Sequence, residues 1–427
     1  MNRKLLLWLM VPVLGLLLSE PLLRLADPPG LQYYRRSKML HAYHPDYTIS
    51  LRPSTSEYLD HPSGLWEGQF TVNSYGMRDL EEPQPGRSKT LCMGDSLAMG
   101  HGVGDGLNFC HLLKAKAGSL QVLNASVDGF GTYAYALRTE EIVSQIDSVK
   151  TVLLFPSPTD WWISKRFRER GILPDDEKDL MRKDDTVYKN LFRSQFNATE
   201  WFYTLHALKL SQEHLQLRQA IFREDILCTL NGMEKNSASQ NVAGVGEYLK
   251  RSFLKDQQTC SQKPGCVDGI FCKRGCPPQP STTCPEPIPG GLLCSDTEPA
   301  YKPLPDFTQQ NLNRLIDFTR AKGIRLVVVL LPMQEEEIRC AAHGKFHENG
   351  LYAVQARRFF KEKGIDVIDL MPYTKSMCRT DVPDKEQRRI GDFFLREDGH
   401  LTEQGNRWAA DALMSELSKR GLYPEAR

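Results

Sequence analysis

The stretch that most constrains this chain is Thr90-Leu91-Cys92-Met93 running directly into Gly94-Asp95-Ser96. The first four residues are uncharged and suit a strand. Glycine and aspartate are depleted in strands and favour turns, so the strand has to end there. The Gly-rich run Met99-Gly100-His101-Gly102-Val103-Gly104 follows. A strand that stops at such a turn lifts a serine hydroxyl above the carboxyl edge of a parallel sheet, where open α/β folds build their sites. Far along the chain, Asp398-Gly399-His400-Leu401-Thr402 places a carboxylate and an imidazole just ahead of a helical pattern. A serine near the first strand and an Asp-x-His before the last helix are the side chains that acyl transfer through a covalent serine ester requires.

From residue 88 the hydrophobic pattern alternates. Strands are predicted over 89–94, 121–123 and 151–155, with helices near 107–117 and 133–146 between them. The alternation stops at 160 and resumes near 305. Leu312, Leu315, Ile316 and Thr319 share one helical face, and Gly323 stands where a C-terminal cap is needed. Leu326 to Leu331 is a continuous apolar run, as in a strand covered on both faces. Ile365 to Leu370 reads as the final strand, and a terminal helix begins near Thr402 with Trp408, Ala409, Ala410 and Leu413 on it. Strands separated by helical patterns imply βαβ units. The expected class is therefore α/β, a three-layer α/β/α domain with a five-stranded parallel sheet, formed by residues 87–160 and 305–427. Residues 161–304 are an insert, helical at first (Trp201 to Ile226) and cysteine-rich over 255–300. Residues 28–86, punctuated by proline and rich in tyrosine, are expected to pack on the catalytic domain with short strands at most.

The chain has 427 residues, 41% hydrophobic and 25% charged, which excludes global disorder. A formal net charge of +1 excludes nucleic acid as a partner on whole-chain electrostatics. The local run Lys165-Arg166-Phe167-Arg168-Glu169-Arg170 reads as a solvated helix face. Arg3 and Lys4 precede an apolar run from Leu5 to Leu18. Residues 1–27 therefore read as a signal anchor holding the chain at a membrane, with a cleaved signal peptide as the alternative. Both deliver the rest outside the cytoplasm.

The cysteines agree with an oxidising compartment. Of eleven, six crowd together: Cys260, Cys266, Cys272, Cys276, Cys284 and Cys294. The intervening proline- and glycine-rich sequence cannot build a core, so disulfides are expected to staple it. The cluster has no Cys-x2-Cys pair and no histidine, which argues against zinc. The pairing stays open. Cys340 and Cys378 are candidates for a further bridge, and Cys92 reads as a buried small hydrophobe. The odd total leaves at least one thiol unpaired within the chain or bridging chains. His343 and His347 have helical spacing, but Gly344 lies between them and no third ligand is near, so no metal is expected. No cofactor is expected.

These blocks resemble the SGNH/GDSL hydrolase superfamily, in particular an exported bacterial subfamily related to polysaccharide O-acetyl esterases and transferases. Asn73-Ser74-Tyr75-Gly76-Met77-Arg78-Asp79 is similar to the Asn-Ser-x-Gly-x-Arg segment upstream of the Gly-Asp-Ser block in that subfamily. Val122-Leu123-Asn124-Ala125-Ser126-Val127-Asp128-Gly129-Phe130-Gly131-Thr132 is similar to the second block. The resemblance covers roughly residues 31–160 and 305–420. It implies the flavodoxin-like SGNH fold, with Ser96 as nucleophile and His400 as base and then acid. In the family the carboxylate partner stands three residues before the histidine, or two in some exported members. Asp398 is taken as that partner, with Glu397 the alternative.

The implied oxyanion donors are the backbone N–H groups of Ser96 and Gly129, together with Thr159. This chain departs from the family at the third block, Ser157-Pro158-Thr159-Asp160. Ser157 stands for the family's glycine and Thr159 for its asparagine. Losing one such donor typically lowers the rate ~10²–10³-fold. Asp160, Trp161 and Trp162 are the implied substrate-binding residues, since aromatic faces at a pocket rim stack on sugar rings. His101 is expected to fill a position that is often aromatic in relatives.

The resemblance implies an extracytoplasmic esterase or acyltransferase, in the bacterial periplasm or cell envelope. Its substrate is an acylated glycan or small ester, with O-acetyl foremost among the acyl groups. The alternative is a weak or inactive relative that binds a glycan or a partner protein.

Overall fold

The computed structural model describes residues 14–15, 18–27, 29–61, 64–116, 120–158, 160, 193–194, 196–199, 201–208, 293–333, 335–378, 388–395 and 399–423. Most of the N-terminal apolar run, most of 161–304, five of the six clustered cysteines, Thr159, Trp161, Trp162, Glu397 and Asp398 lie outside the described residues. Among the described residues no helix is long and apolar enough to cross a membrane.

The chain divides into two compact units. One takes residues 1–38, 60–65 and 193–279. Within it, α1 (Pro29–Met39) presents Arg35 to the Tyr203 ring at 4.6 Å, and the Lys38 ammonium donates to the Phe196 carbonyl at 2.8 Å. Arg24 pairs with Glu20 at 2.7 Å and also donates to the Trp201 carbonyl.

The other unit takes residues 39–59, 66–192 and 280–427. Two short two-stranded sheets open it: β1 (His41–His44) with β2 (Thr48–Leu51), antiparallel, and β3 (Thr55–Asp60) with β4 (Glu67–Val72). The five-stranded sheet follows, from β5 (Lys89–Gly94), β6 (Gln121–Asn124), β7 (Val149–Phe155), β8 (Arg325–Leu330) and β9 (Asp366–Asp369). Its order is β6-β5-β7-β8-β9 and every pairing is parallel. Leu91 lies opposite Leu123 on one side and Val152 on the other. Every residue of β5 and β6 is buried, as expected for parallel strands covered on both faces.

Alternate residues then serve opposite layers. Cys92, Val122, Leu153, Phe155, Val327, Val329 and Ile368 pack with residues of the helices Phe109–Lys116 and Glu403–Lys419. The helices on the two faces follow from their apolar stripes. Between β5 and β6 the chain forms the single turn α2 (Ser96–Met99) and then α3 (Phe109–Lys116). α4 (Thr132–Gln145) joins β6 to β7, and α5 (Asp306–Ala321) precedes β8. α4 and α5 lie against each other, with Arg314 and Glu140 ion-paired at 2.6 Å. On α5, Leu312, Leu315, Ile316 and Thr319 are all buried, the face that their spacing predicts. After β8 come α6 (Glu335–Ala342) and α7 (Leu351–Glu362), and after β9 the closing helix α8 (Glu403–Lys419). α8 starts at Thr402, whose hydroxyl accepts from the Gly405 N–H at 3.2 Å.

Two disulfides correct the reading of the cysteines. Cys92 is not a free hydrophobe: it is bonded to Cys110 and ties β5 to α3. A cysteine in an apolar strand is buried whether it is a thiol or half of a disulfide, so burial could not separate the two. Cys340 bonds Cys294 rather than Cys378. Cys378 is itself disulfide-bonded.

The first bridge closes a loop with a sequence separation of 18. Replacing both Cys92 and Cys110 by alanine is expected to lower stability by about 3 kcal/mol, from the loop entropy restored to the unfolded chain. Denaturant titration of the double variant against wild type checks this. A loss below about 1 kcal/mol would contradict a stabilising role.

Candidate active site

The end of β5 is shaped by what glycine permits. A Cβ at Gly94 would lie 2.6 Å from the Ala98 Cβ and 2.8 Å from the Phe155 carbonyl oxygen. Only glycine lets the chain turn there against β7. Asp95 then caps α2, its carboxylate accepting from the Leu97 N–H at 3.0 Å. The turn ends at Gly100, whose φ of 88° is left-handed and whose N–H donates back to the Ser96 carbonyl at 3.0 Å. Ser96 therefore opens α2, half-buried, with its hydroxyl at the sheet's carboxyl edge.

His400 reaches this point from the other end of the chain. Its Nε2 stands 2.8 Å from Ser96 Oγ across 304 residues of sequence. The loop that carries it is held by backbone pairing: the Leu395 N–H donates to the His400 carbonyl at 2.6 Å and the Thr402 N–H to the Phe393 carbonyl at 3.1 Å. His101 packs beside it, ring centroid 4.7 Å from that of His400 and 5.3 Å from that of Trp66. His101 thus walls the imidazole on one side.

The second block lies alongside. The Val127 N–H donates to the Gly94 carbonyl at 3.2 Å, and the Asn124 amide donates to the Ala98 carbonyl at 2.9 Å. These bonds fix the turn that holds Gly129, which is exposed with φ 71°. Beside it, Asp128 meets His41 Nε2 at 2.5 Å. Burial works to raise the Asp128 carboxyl, but the His41 charge and hydrogen bond hold it below the usual range.

Asp160 is placed differently from the resemblance's expectation. Its carboxyl is fully buried, and it accepts from the Ser157 hydroxyl at 2.8 Å, from the Ser157 N–H and from the Tyr135 hydroxyl. A group enclosed in this way supports the turn after β7 from behind, so Asp160 is not a substrate contact. Burial, and then the charge of Asp95, push its carboxyl well above the ordinary value. Asp95 is also raised by burial, against a hydrogen bond from Ser157. The Ser157 hydroxyl therefore sits between two buried carboxyls, which gives a physical reason for a serine where the family has glycine.

Arg78 is the residue whose part the sequence motif did not disclose. It is fully buried, and its guanidinium donates to three carbonyls of the loop behind Ser96: Met99 at 2.8 Å, Gly100, and Val103 at 2.6 Å. Its plane lies 3.6 Å from the Phe70 ring centroid. Burial pushes it down to about 9, with Asp105 acting against that shift. Arg78 is a positioning residue, fixing the Gly-rich loop through a fork that lysine cannot reproduce.

The parts that converge are Ser96 and His400, at the end of β5 in a parallel sheet, with the turn after β6 bonded to Gly94 through Val127. Residues 296–426 match the family described as the SGNH hydrolase-like domain of acetyltransferase AlgX. The C-terminal third of the chain is similar to an SGNH hydrolase-like domain. The matched segment holds β8, β9 and His400, and the Ser96 half lies ahead of it. No curated protein matches the chain in sequence. Among solved structures the chain is similar to a lipolytic G-D-S-L family protein from Veillonella parvula DSM 2008, at 10% identity and a TM-score of 0.34, covering 78% of this chain and 99% of that one. It is similar also to a carbohydrate acetylesterase family member from Sinorhizobium meliloti, at 10% identity and a TM-score of 0.32, again covering 78% and 99%.

Proposed function

We propose that this SGNH hydrolase-like protein is a serine esterase or acyltransferase that acts on O-acyl groups through an acyl-serine intermediate. The observation that carries this reading is the 2.8 Å contact between His400 Nε2 and Ser96 Oγ at the opening turn of α2. His400 takes the Ser96 proton as the hydroxyl attacks the ester carbonyl, then returns it to the leaving alcohol. The tetrahedral oxyanion is held by the N–H groups of Ser96 and Gly129, with Thr159 as a third donor. Asp398, two residues before His400, orients the imidazole, and Glu397 is the alternative. Water or a sugar hydroxyl then accepts the acyl group.

The acetyl group is favoured by the acetyltransferase name of the matched family. A glycan substrate is favoured by Trp161 and Trp162 directly after the third block. An extracytoplasmic site of action is favoured by the two disulfides, since such bonds persist in oxidising compartments. Residues 1–27 would direct the chain there. A second reading, a binding protein without turnover, draws on Thr159 and Ser157 in place of the family's asparagine and glycine.

Fluorophosphonate labelling followed by intact mass separates the two readings. One adduct on the wild-type chain and none on Ser96→Ala is the expected result. A folded, oxidised wild type that takes no adduct would overturn the covalent mechanism, and binding would become the function.

A further inference from the structure

A cavity opens at the carboxyl ends of β8 and β9, and neither Ser96 nor His400 lines it. Its volume is about 310 Å³, the size of small-molecule sites. Much of its wall is apolar, from Leu331, Pro332, Phe346 and Met371. Phe346 stands at 40% exposure on the loop after α6, and the Cys294–Cys340 disulfide fixes the base of that loop.

Several polar groups of the wall are already engaged. The Tyr352 hydroxyl donates to the Leu331 carbonyl at 2.5 Å and the Thr374 hydroxyl to the Met371 carbonyl at 2.7 Å. Arg357 spends one amino group on Asp369 at 2.7 Å and the other on Glu298. The Lys345 ammonium is paired with Asp296 at 3.1 Å. Lys375 is exposed, and His347 lies on the loop after α6.

Glu337 lies on α6. It is only 7% exposed, it lines the cavity, and its Oε2 has no hydrogen-bond partner among the described residues. A buried carboxyl oxygen without a donor is costly, and native structures retain such groups for a reason. Arg357 is divided between Asp369 and Glu298, which leaves Glu337 Oε2 without a donor of its own among the described residues.

We propose that this cavity binds a small organic cation, an ammonium group on a compact apolar body, with Glu337 as its counter-ion. The ammonium donates to Glu337, and the body rests against Pro332, Phe346 and Met371. The site is independent of the acyl chemistry at Ser96.

Three probes of one ring size and different charge test this by calorimetric titration of the full chain: cyclohexylamine, cyclohexanol and cyclohexanecarboxylate. Binding of cyclohexylamine at pH 8, with the other two at least about tenfold weaker, is the expected result. Glu337→Gln should weaken the amine at least about tenfold, and Glu337→Asp should do so less. Burial, and then Asp369, hold the Glu337 carboxyl up at about 7, with Arg357 acting against them. The amine stays protonated throughout, so its affinity should fall about tenfold or more from pH 8 to pH 5.5, as Glu337 becomes neutral. This pH series needs only wild type, so it stands even if a variant fails to fold. No heat with cyclohexylamine, equal affinity in Glu337→Gln, a flat pH profile, or equal binding of all three probes would each overturn the proposal.

Discussion

Ser96→Ala is expected to lower acyl-ester turnover on the order of 10⁴-fold or more, and His400→Ala by a similar factor. The reason lies in how the two groups share one task. The Ser96 hydroxyl is a weak nucleophile until a base takes its proton. His400 Nε2, at 2.8 Å, is the base within reach. Removing either one removes the same step, so the two losses cannot add. The double variant Ser96→Ala/His400→Ala should therefore turn over no more slowly than Ser96→Ala alone, within a few-fold. Steady-state kinetics on a chromogenic acetyl ester, with wild type and the three variants at equal concentration, gives all four numbers. Losses that multiply in the double variant would mean that Ser96 and His400 act on separate steps, and the shared-proton mechanism would fail.

Arg78→Met is the largest expected effect on stability, about 3–5 kcal/mol. Methionine fills much of the same volume but donates nothing. The Val103 carbonyl then loses its donor, and the carbonyls of Met99 and Gly100 keep only the longer bonds from the Asn124 amide at 3.3 Å and the Val103 N–H at 3.4 Å; stranding a buried polar group costs roughly 1–3 kcal/mol. Relaxation of the loop keeps the total below the simple sum. Arg78→Lys should fall between the two, because an ammonium reaches one or two of the three carbonyls. Guanidinium titration with equal m-values reads the difference directly. A loss under about 1 kcal/mol for the methionine variant would show that the loop holds its shape without the fork. The loop residue that touches the chemistry is His101, against His400. Variants at Arg78 should therefore also lower kcat before they raise KM, which a purely global loss of stability would not do at a temperature where the chain stays folded.

The parts of this fold that sequence disclosed are those with long, unmixed patterns. β5, β7 and β8 each hold an unbroken apolar run, Leu91–Met93, Val152–Phe155 and Leu326–Leu330, which suits a strand covered on both faces. The buried face of α5 was legible from four residues. Ser96 and His400 were legible because their chemistry needs particular side chains at a strand end and before a helix. What escaped was decided by tertiary packing. Asp160 reads as a pocket residue from its place in the third block, yet Tyr135, on a helix earlier in the chain, closes over it. Cys92 gave no sign of its partner, since nothing local distinguishes Cys110 on α3 from a packing residue. Arg78 was visible as a letter in a motif, but its three carbonyl partners lie more than twenty residues away. The two-stranded sheets β1–β2 and β3–β4 are too short and too mixed in polarity for alternation to declare them.

The sheet order has a consequence for synthesis. β7 pairs with β8, yet residues 156–324 separate the two strands in sequence. On the ribosome, β5, β6 and β7 are complete long before β8 exists. At ~5–20 residues per second the wait is on the order of 10–30 s. During that interval the free side of β7, with Leu153 and Leu154 on it, is an open strand edge of the kind that recruits other chains. His400 arrives later still. The nascent chain therefore carries its serine on an unfinished sheet, and the second half of the domain both closes that edge and supplies the base.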